Sequence, residues 1–345
     1  MKKILIIITL LIVAVAGIFW LSWNIEKEEE ISFEKPPLLI GFSLGVYREE
    51  RWLKDLELFN EKVNELGAVS VPLMTDQDID VQVSQIKNLI SQKVKVIVIV
   101  PTDYKKLGPV IKEAQEAGIK VIAYDRLIVD SDLDLYISFD SFEVGKIQAQ
   151  AIVDQVPSGN IAYIGGSQND NNAYLLKDGS MSVLEDKIES GEINLVVDEF
   201  SYDWNPSEAY NNIKNYLENG GKLDGVIAAN DGTASGVIQA LQEFGLAGKV
   251  PVSGQDAELA ACRRLVSGEQ TVTVYKPIRA IAHKAAELAV QMANGEQIET
   301  NSFIDNGYED VPAFYIEPTV VYEETLDQTV IKDRFYTYEE IYGTN

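Results

Sequence analysis

The chain has 345 residues, long enough for two domains with ample cores, and a formal charge of −25. Such an acidic surface repels phosphate backbones and argues against nucleic acid as a partner. One cysteine, Cys262, excludes an internal disulfide framework and any multi-cysteine metal site, and one histidine, His283, argues against histidine catalysis. Cys262 reads as a small buried residue and His283 as a structural or surface residue, so no metal or cofactor is expected.

Lys2 and Lys3 precede an apolar run from Ile4 to Trp23. Twenty residues rising about 1.5 Å each cover about 30 Å, the thickness of a bilayer core. With an acidic Glu26–Glu30 cluster behind it, residues 1–25 read as a membrane anchor oriented with the following chain outside the cytoplasm. A cleavable signal peptide is the alternative, since Ala14-Val15-Ala16 has the small-x-small pattern. Cleavage there would leave Gly17–Trp23 as an exposed apolar stub, which favours the uncleaved anchor. Residues 26–37, ending in Pro36-Pro37, read as a linker.

From Leu38 apolar strand-like runs alternate with helical periodicity. Val94–Val100 is the clearest buried strand, and Lys106–Ala117 is a helix closed by Gly118. The alternation restarts after Asp140, with strands at Ile161–Gly165, Leu195–Phe200, Asp224–Ala229 and Val250–Gly254. It ends in a long Ala-rich helix, Ile278–Ala293, and a tail of short strands from Asn301. This pattern predicts an α/β fold of parallel βαβ units in two halves of similar size.

Polar side chains recur where these strands end: Tyr124-Asp125-Arg126, Asp170-Asn171-Asn172, Asn230-Asp231, Gln255-Asp256 and Tyr275-Lys276-Pro277. Open α/β sheets bind small molecules at such points. A sugar presents hydroxyls that both donate and accept, on an apolar ring face. Asp125, Asp170 and Asp256 supply acceptors, Asn172 and Asn230 amides, and Arg51, Arg126 and Lys276 donors. Trp52 and Trp204 are candidate stacking platforms; Trp204 lies in a polar turn, where burial is hard to arrange. Against this, an Asp at such a junction commonly caps the next helix, the role expected of Asp78, Asp140 and Asp231. A glycosidase pair needs one protonated acid, whereas Arg and Lys neighbours hold carboxylates ionised. No phosphate loop, dinucleotide fingerprint or nucleophile motif is present. The residues suit binding without reaction.

Those segments, with Glu50-Arg51-Trp52-Leu53-Lys54-Asp55, Tyr136–Asp140, Gly165-Gly166-Ser167, Ser253–Ala257 and Val330–Asp333, resemble the periplasmic-type sugar-binding proteins of the ribose/galactose/xylose group. Asp125-Arg126 and Gln255-Asp256 point to the D-xylose-binding type within it. The resemblance implies a type I periplasmic binding protein: two doubly wound, Rossmann-like lobes joined by a three-stranded hinge and closing over one monosaccharide. It implies an N-terminal lobe of 38–140 plus 276–307 and a C-terminal lobe of 141–275 plus 308–345. By position, Arg51, Asp125 and Arg126 bind from the first lobe and Asp170, Asn172, Asn230 and Asp256 from the second. Lys276 sits near the hinge, Trp204 stacks on the sugar ring, and Trp52 adjoins Arg51. The implied partner is an ABC-type sugar permease; the anchor also allows a membrane sensor histidine kinase. Phe42–Tyr47 departs from the usual acidic segment before Arg51-Trp52. The lactose-repressor relatives do not fit, because no helix-turn-helix occurs and the charge is wrong.

Overall fold

A computed structural model describes residues 14–17, 19–20, 36–47, 49 and 51–343. Met1–Pro37 and Leu38–Asn345 are separate compact units. Of the apolar run Ile4–Trp23, residues 14–17 and 19–20 are helical, and the rest of the expected anchor lies outside the described residues. Among the described residues no helix is long and apolar enough to cross a membrane.

The larger unit holds two main sheets and a separate two-stranded one among the described residues. The first contains β1 (Leu39–Leu44), β2 (Val69–Met74), β3 (Val96–Val100), β4 (Lys120–Tyr124), β5 (Leu135–Phe139), β10 (Ser302–Asp305) and β11 (Asp310–Ile316), in the order β10-β11-β5-β4-β3-β1-β2. All neighbours run parallel except β10 against β11. Strand β3, Val-Ile-Val-Ile-Val, is buried along its whole length because helices cover both faces. Helices α1 (Arg51–Glu65) and α9 (Ile278–Ala293) pack one face around Phe42, Phe59 and Tyr124. Helices α2 (Ile79–Ser91) and α3 (Gly108–Glu116) pack the other around Ile97, Ile99 and Ile111.

The second sheet orders β7 (Ile193–Phe200), β6 (Gly159–Gly165) and β8 (Gly225–Ala228), all parallel, and Val252 extends it by one bridge to Val226. Helices α4 (Ser141–Val153) and α5 (Asn171–Glu189) lie on one face of it, and α6 (Pro206–Glu218) and α7 (Asp231–Glu243) on the other. Helix α8 (Leu259–Ser267), the antiparallel pair β9 (Thr273–Tyr275) and β12 (Thr319–Val321), and a short terminal helix α10 (Tyr338–Tyr342) complete this lobe.

The chain passes between the sheets after β5, after β9 and after β11. The last crossing corrects the sequence-based boundary. Asp310–Ile316, expected in the second lobe, pairs with β5 in the first sheet, and its Val311 and Ala313 side chains enter that sheet's core. In both main sheets the chain starts on an interior strand and adds strands on either side of it. That leaves a crevice beyond the strand ends, beside β1, β3 and β4 in one lobe and β6 and β8 in the other.

Candidate functional site

The two crevices face each other. Arg51 begins α1, just past β1, and Asp125-Arg126 follow β4. Asp170 caps α5 after β6, Asn230 caps α7 after β8, and Asp256 precedes α8. With Trp52, Asn172, Trp204 and Lys276, these residues line one narrow cavity of about 30 Å³. All ten sequence-predicted residues are therefore brought together. Glu49, Ser141 and Gln255 join them.

The electrostatics are crowded. Arg51 lies 2.9 Å from Asp125 Oδ2 and 3.7 Å from Asp256 Oδ1 through its two Nη atoms. Lys276 Nζ is 3.0 Å from the same Asp256 oxygen, and Arg126 Nε is 2.9 Å from Asp170 Oδ2. Burial works against the Arg51 charge, but Asp125, Asp55 and Asp256 outweigh it and hold its pKa above the usual guanidinium value. Burial also opposes ionisation of Asp125; Arg51, Lys276 and Arg126 prevail and keep it below the usual carboxylate range. At Asp170 burial wins over Arg126 and the pKa rises. The neighbouring cations thus outweigh burial at Asp125 and do not fully offset it at Asp170.

Three buried atoms of this cluster make no hydrogen bond among the described residues: Arg51 Nη1, Asp125 Oδ2 and Asp256 Oδ1. Each lies within ion-pair distance of a neighbour without hydrogen-bonding alignment. One is a donor and two are acceptors, and an unsatisfied buried polar group costs about 1–3 kcal/mol.

Backbone strain collects at the same place. Asp125, Asp203, Trp204, Asp256 and Ala257 all have positive φ without being glycine, at about 1–3 kcal/mol each. Asp125 (φ 61°) is held there by its carbonyl, which accepts from Ser138 Oγ at 2.7 Å, Tyr136 Oη at 2.9 Å and Asn172 Nδ2 at 2.9 Å. Asn172 comes from the opposite lobe, so part of its amide serves to join the lobes.

Other side chains have roles that differ from expectation. Asn230 Oδ1 accepts from Thr233 N at 2.8 Å, so part of its amide serves as the cap of α7. Trp204 is 7% exposed despite its polar neighbours. Its indole donates to Asp170 Oδ2 at 3.3 Å and packs with Val144, Leu176 and Val274. Gly166 makes this possible, because a Cβ there would run into the indole ring. Trp52 donates to Glu49 at 2.6 Å and carries the Arg51 and Arg126 guanidiniums over its ring at 4.4 and 5.3 Å. It is a platform for arginines. Asp78 and Asp140 cap α2 and α4 as expected, but Asp231 does not cap α7. Fully buried, it accepts from Gln270 Nε2 at 2.7 Å, Thr273 Oγ1 at 2.9 Å and Glu258 N at 2.9 Å. Burial, reinforced by Asp256 and opposed by Arg264, pushes its pKa up to about 7.

A family model described as a periplasmic binding protein domain matches residues 40–297. The chain belongs to the periplasmic binding protein family. The D-xylose-binding periplasmic protein of Haemophilus influenzae is 47% identical to it over 306 residues, 88% of this chain and 92% of that one. The D-xylose-binding periplasmic protein of Escherichia coli is 45% identical over 303 residues, with the same shares. A solved ABC transporter solute-binding protein of Clostridium phytofermentans with bound β-D-glucose matches with TM-score 0.82 at 28% identity, over 88% of this chain and 99% of that one.

This periplasmic binding protein has a second, larger cavity of about 750 Å³. The crossing strand separates the two: Lys276 lines the smaller cavity, Tyr275 and Pro277 the larger. Arg51 and Asp256 border both, but Asp125, with the third unsatisfied atom, borders only the smaller one. The chemistry therefore belongs to the smaller space. Of the supporting residues, Asp55 enters the sequence-based expectations only within the Glu50–Asp55 segment and with no role of its own, and Glu49 does not enter them. Tyr124 enters them beside Asp125-Arg126, with no role of its own.

Proposed function

We propose that this protein binds a monosaccharide, D-xylose, between its lobes and hands it to an ABC-type sugar transporter. The observation that carries this reading is the meeting of Arg51 Nη1, Asp125 Oδ2 and Asp256 Oδ1, buried and without hydrogen bonds, on one cavity. A hydroxyl can accept from the first and donate to one of the other two, and adjacent hydroxyls of one sugar ring can serve all three. The D-xylose-binding relatives and the glucose-bound structure support the same ligand class. Binding, not turnover, is the function. Asp125 is held ionised, and Asp170, whose pKa is raised, is engaged by Arg126 and the Trp204 indole instead of standing free as a general acid.

Titration calorimetry of residues 37–345 with D-xylose, D-ribose, D-glucose and L-arabinose tests the reading. Saturable heat with D-xylose is expected; no heat with any of the four removes it.

The uncleaved anchor belongs to this proposal on the strength of Ile4–Trp23 alone. It would tether the protein outside the cytoplasm, and it keeps the sensor kinase as a second partner. The periplasmic relatives favour transport. Mass spectrometry of the mature N-terminus decides the anchor: loss of residues before about Gly17 shows a cleaved signal, and an intact Ile4–Trp23 shows a tether.

A further inference from the structure

Arg51 could be drawn in several directions. Three carboxylates, Asp55, Asp125 and Asp256, stand near it, and if Asp125 and Asp256 took all its N–H groups, none would be left for a ligand. What prevents this lies behind the arginine, outside the cavity. Asp55 is one helical turn further along α1, on the same face, and only 1% exposed. Its Oδ2 accepts from Arg51 Nε at 3.1 Å and its Oδ1 from Arg51 Nη2 at 3.2 Å. The same Oδ1 accepts from the hydroxyl of Tyr124, a fully buried residue set edge-on to Phe42 at 5.6 Å. This is a two-point grip on one edge of a planar guanidinium, and it fixes the direction of the opposite edge.

We propose that Asp55, anchored by Tyr124, is a positioning residue for sugar recognition: it holds the Arg51 guanidinium by its Nε edge so that Nη1 faces the cavity. The inference deepens the sugar reading and rests on it. Asp55 does not line the cavity, so it acts on the ligand only through Arg51. Tyr124 couples the same grip to the next residue, Asp125, whose strained backbone presents another of the unsatisfied atoms. The Tyr124–Asp55–Arg51 chain thus sets the relative placement of a donor and an acceptor that one sugar would use together.

A double-mutant cycle on the full chain tests this, read by calorimetric affinity for D-xylose with thermal midpoints measured in parallel. Asp55→Asn keeps the shape but removes the charge and one acceptor, and should weaken binding by roughly tenfold or more. Arg51→Ala should lose at least as much. Asp55→Asn added to Arg51→Ala should change sugar affinity no further, because the aspartate has nothing left to position. A residue that only supports the fold would give additive losses, and additive losses overturn the inference, as does an unchanged affinity in Asp55→Asn. Should Asp55→Asn fail to fold, Tyr124→Phe replaces it in the same cycle. A loss that vanishes in the Arg51→Ala background supports the inference; an additive loss or none overturns it. Wild-type protein that binds no sugar ends the sugar reading itself and takes this inference with it.

Discussion

Arg126 Nε and Asp170 Oδ2 lie 2.9 Å apart although they belong to different sheets, one following β4 and the other following β6. Both side chains are about 95% buried, and the same Asp170 oxygen accepts from the Trp204 indole. The pair is therefore a direct bond between the lobes at the wall of the cavity. Breaking a buried pair by removing one partner leaves an uncompensated charge, which costs about 3–5 kcal/mol. Arg126→Ala or Asp170→Ala should weaken D-xylose binding by at least tenfold in calorimetry, mainly through faster dissociation in stopped-flow traces. Unchanged affinity would show that neither residue takes part.

Cavity charge sets a second expectation. Arg51, Arg126 and Lys276 face Glu49, Asp125, Asp170 and Asp256, so cations and carboxylates nearly balance with a slight acidic excess. A neutral sugar fits this wall, whereas an added carboxylate would meet fixed negative charge in a poorly solvated space. D-Xylonate and D-glucuronate should bind at least a hundredfold more weakly than D-xylose in competition titrations.

Asp231 makes stability depend on pH with a definite sign. Its folded-state pKa of about 7 lies above the ordinary 3.8, so between these values the folded protein holds a proton that the unfolded chain has released. Stability from this group is full below about pH 4 and is lost as pH rises through about 7. Asp231→Asn should flatten this part of the profile and raise the thermal midpoint at pH 8 relative to wild type. Calorimetric melts from pH 5 to 8 check it; parallel profiles for the two proteins would contradict it.

Gly166 offers a structural prediction away from any charge. A methyl group there must displace the Trp204 ring. Overpacking of this kind costs about 1–3 kcal/mol. Gly166→Ala should lower the thermal midpoint, shift the tryptophan emission and weaken sugar binding together.

Much of this was legible in the sequence, and the reasons are physical. The alternation from Leu38 marked the βαβ units because parallel strands buried on both faces need continuous apolar runs, as Val96–Val100 provides. The ten expected residues converge because strand ends on one side of a doubly wound sheet share a crevice. What could not be read was the use of each side chain. Trp204 looked exposed because its neighbours are polar, yet Gly166 lies across the fold and gives its ring room. Trp52 looked like a sugar platform, but two arginines from separate parts of the first lobe cover its ring. Asp231 looked like a cap because nothing local shows that Gln270 and Thr273 fold back onto it. The strand at Asp310–Ile316 was misplaced for the same reason. Its partner β5 lies 177 residues earlier, Ala313 opposite Tyr136, and no local pattern reports such pairing.

The central claim is that one sugar occupies the space bounded by Arg51, Asp125 and Asp256. A crystal structure of the protein grown with D-xylose tests it most directly. Sugar hydroxyls within hydrogen-bond distance of Arg51 Nη1, Asp125 Oδ2 and Asp256 Oδ1 are the expected result. A sugar bound in the larger cavity beside Tyr275 and Pro277, or a sugar leaving those three atoms without partners, would contradict it.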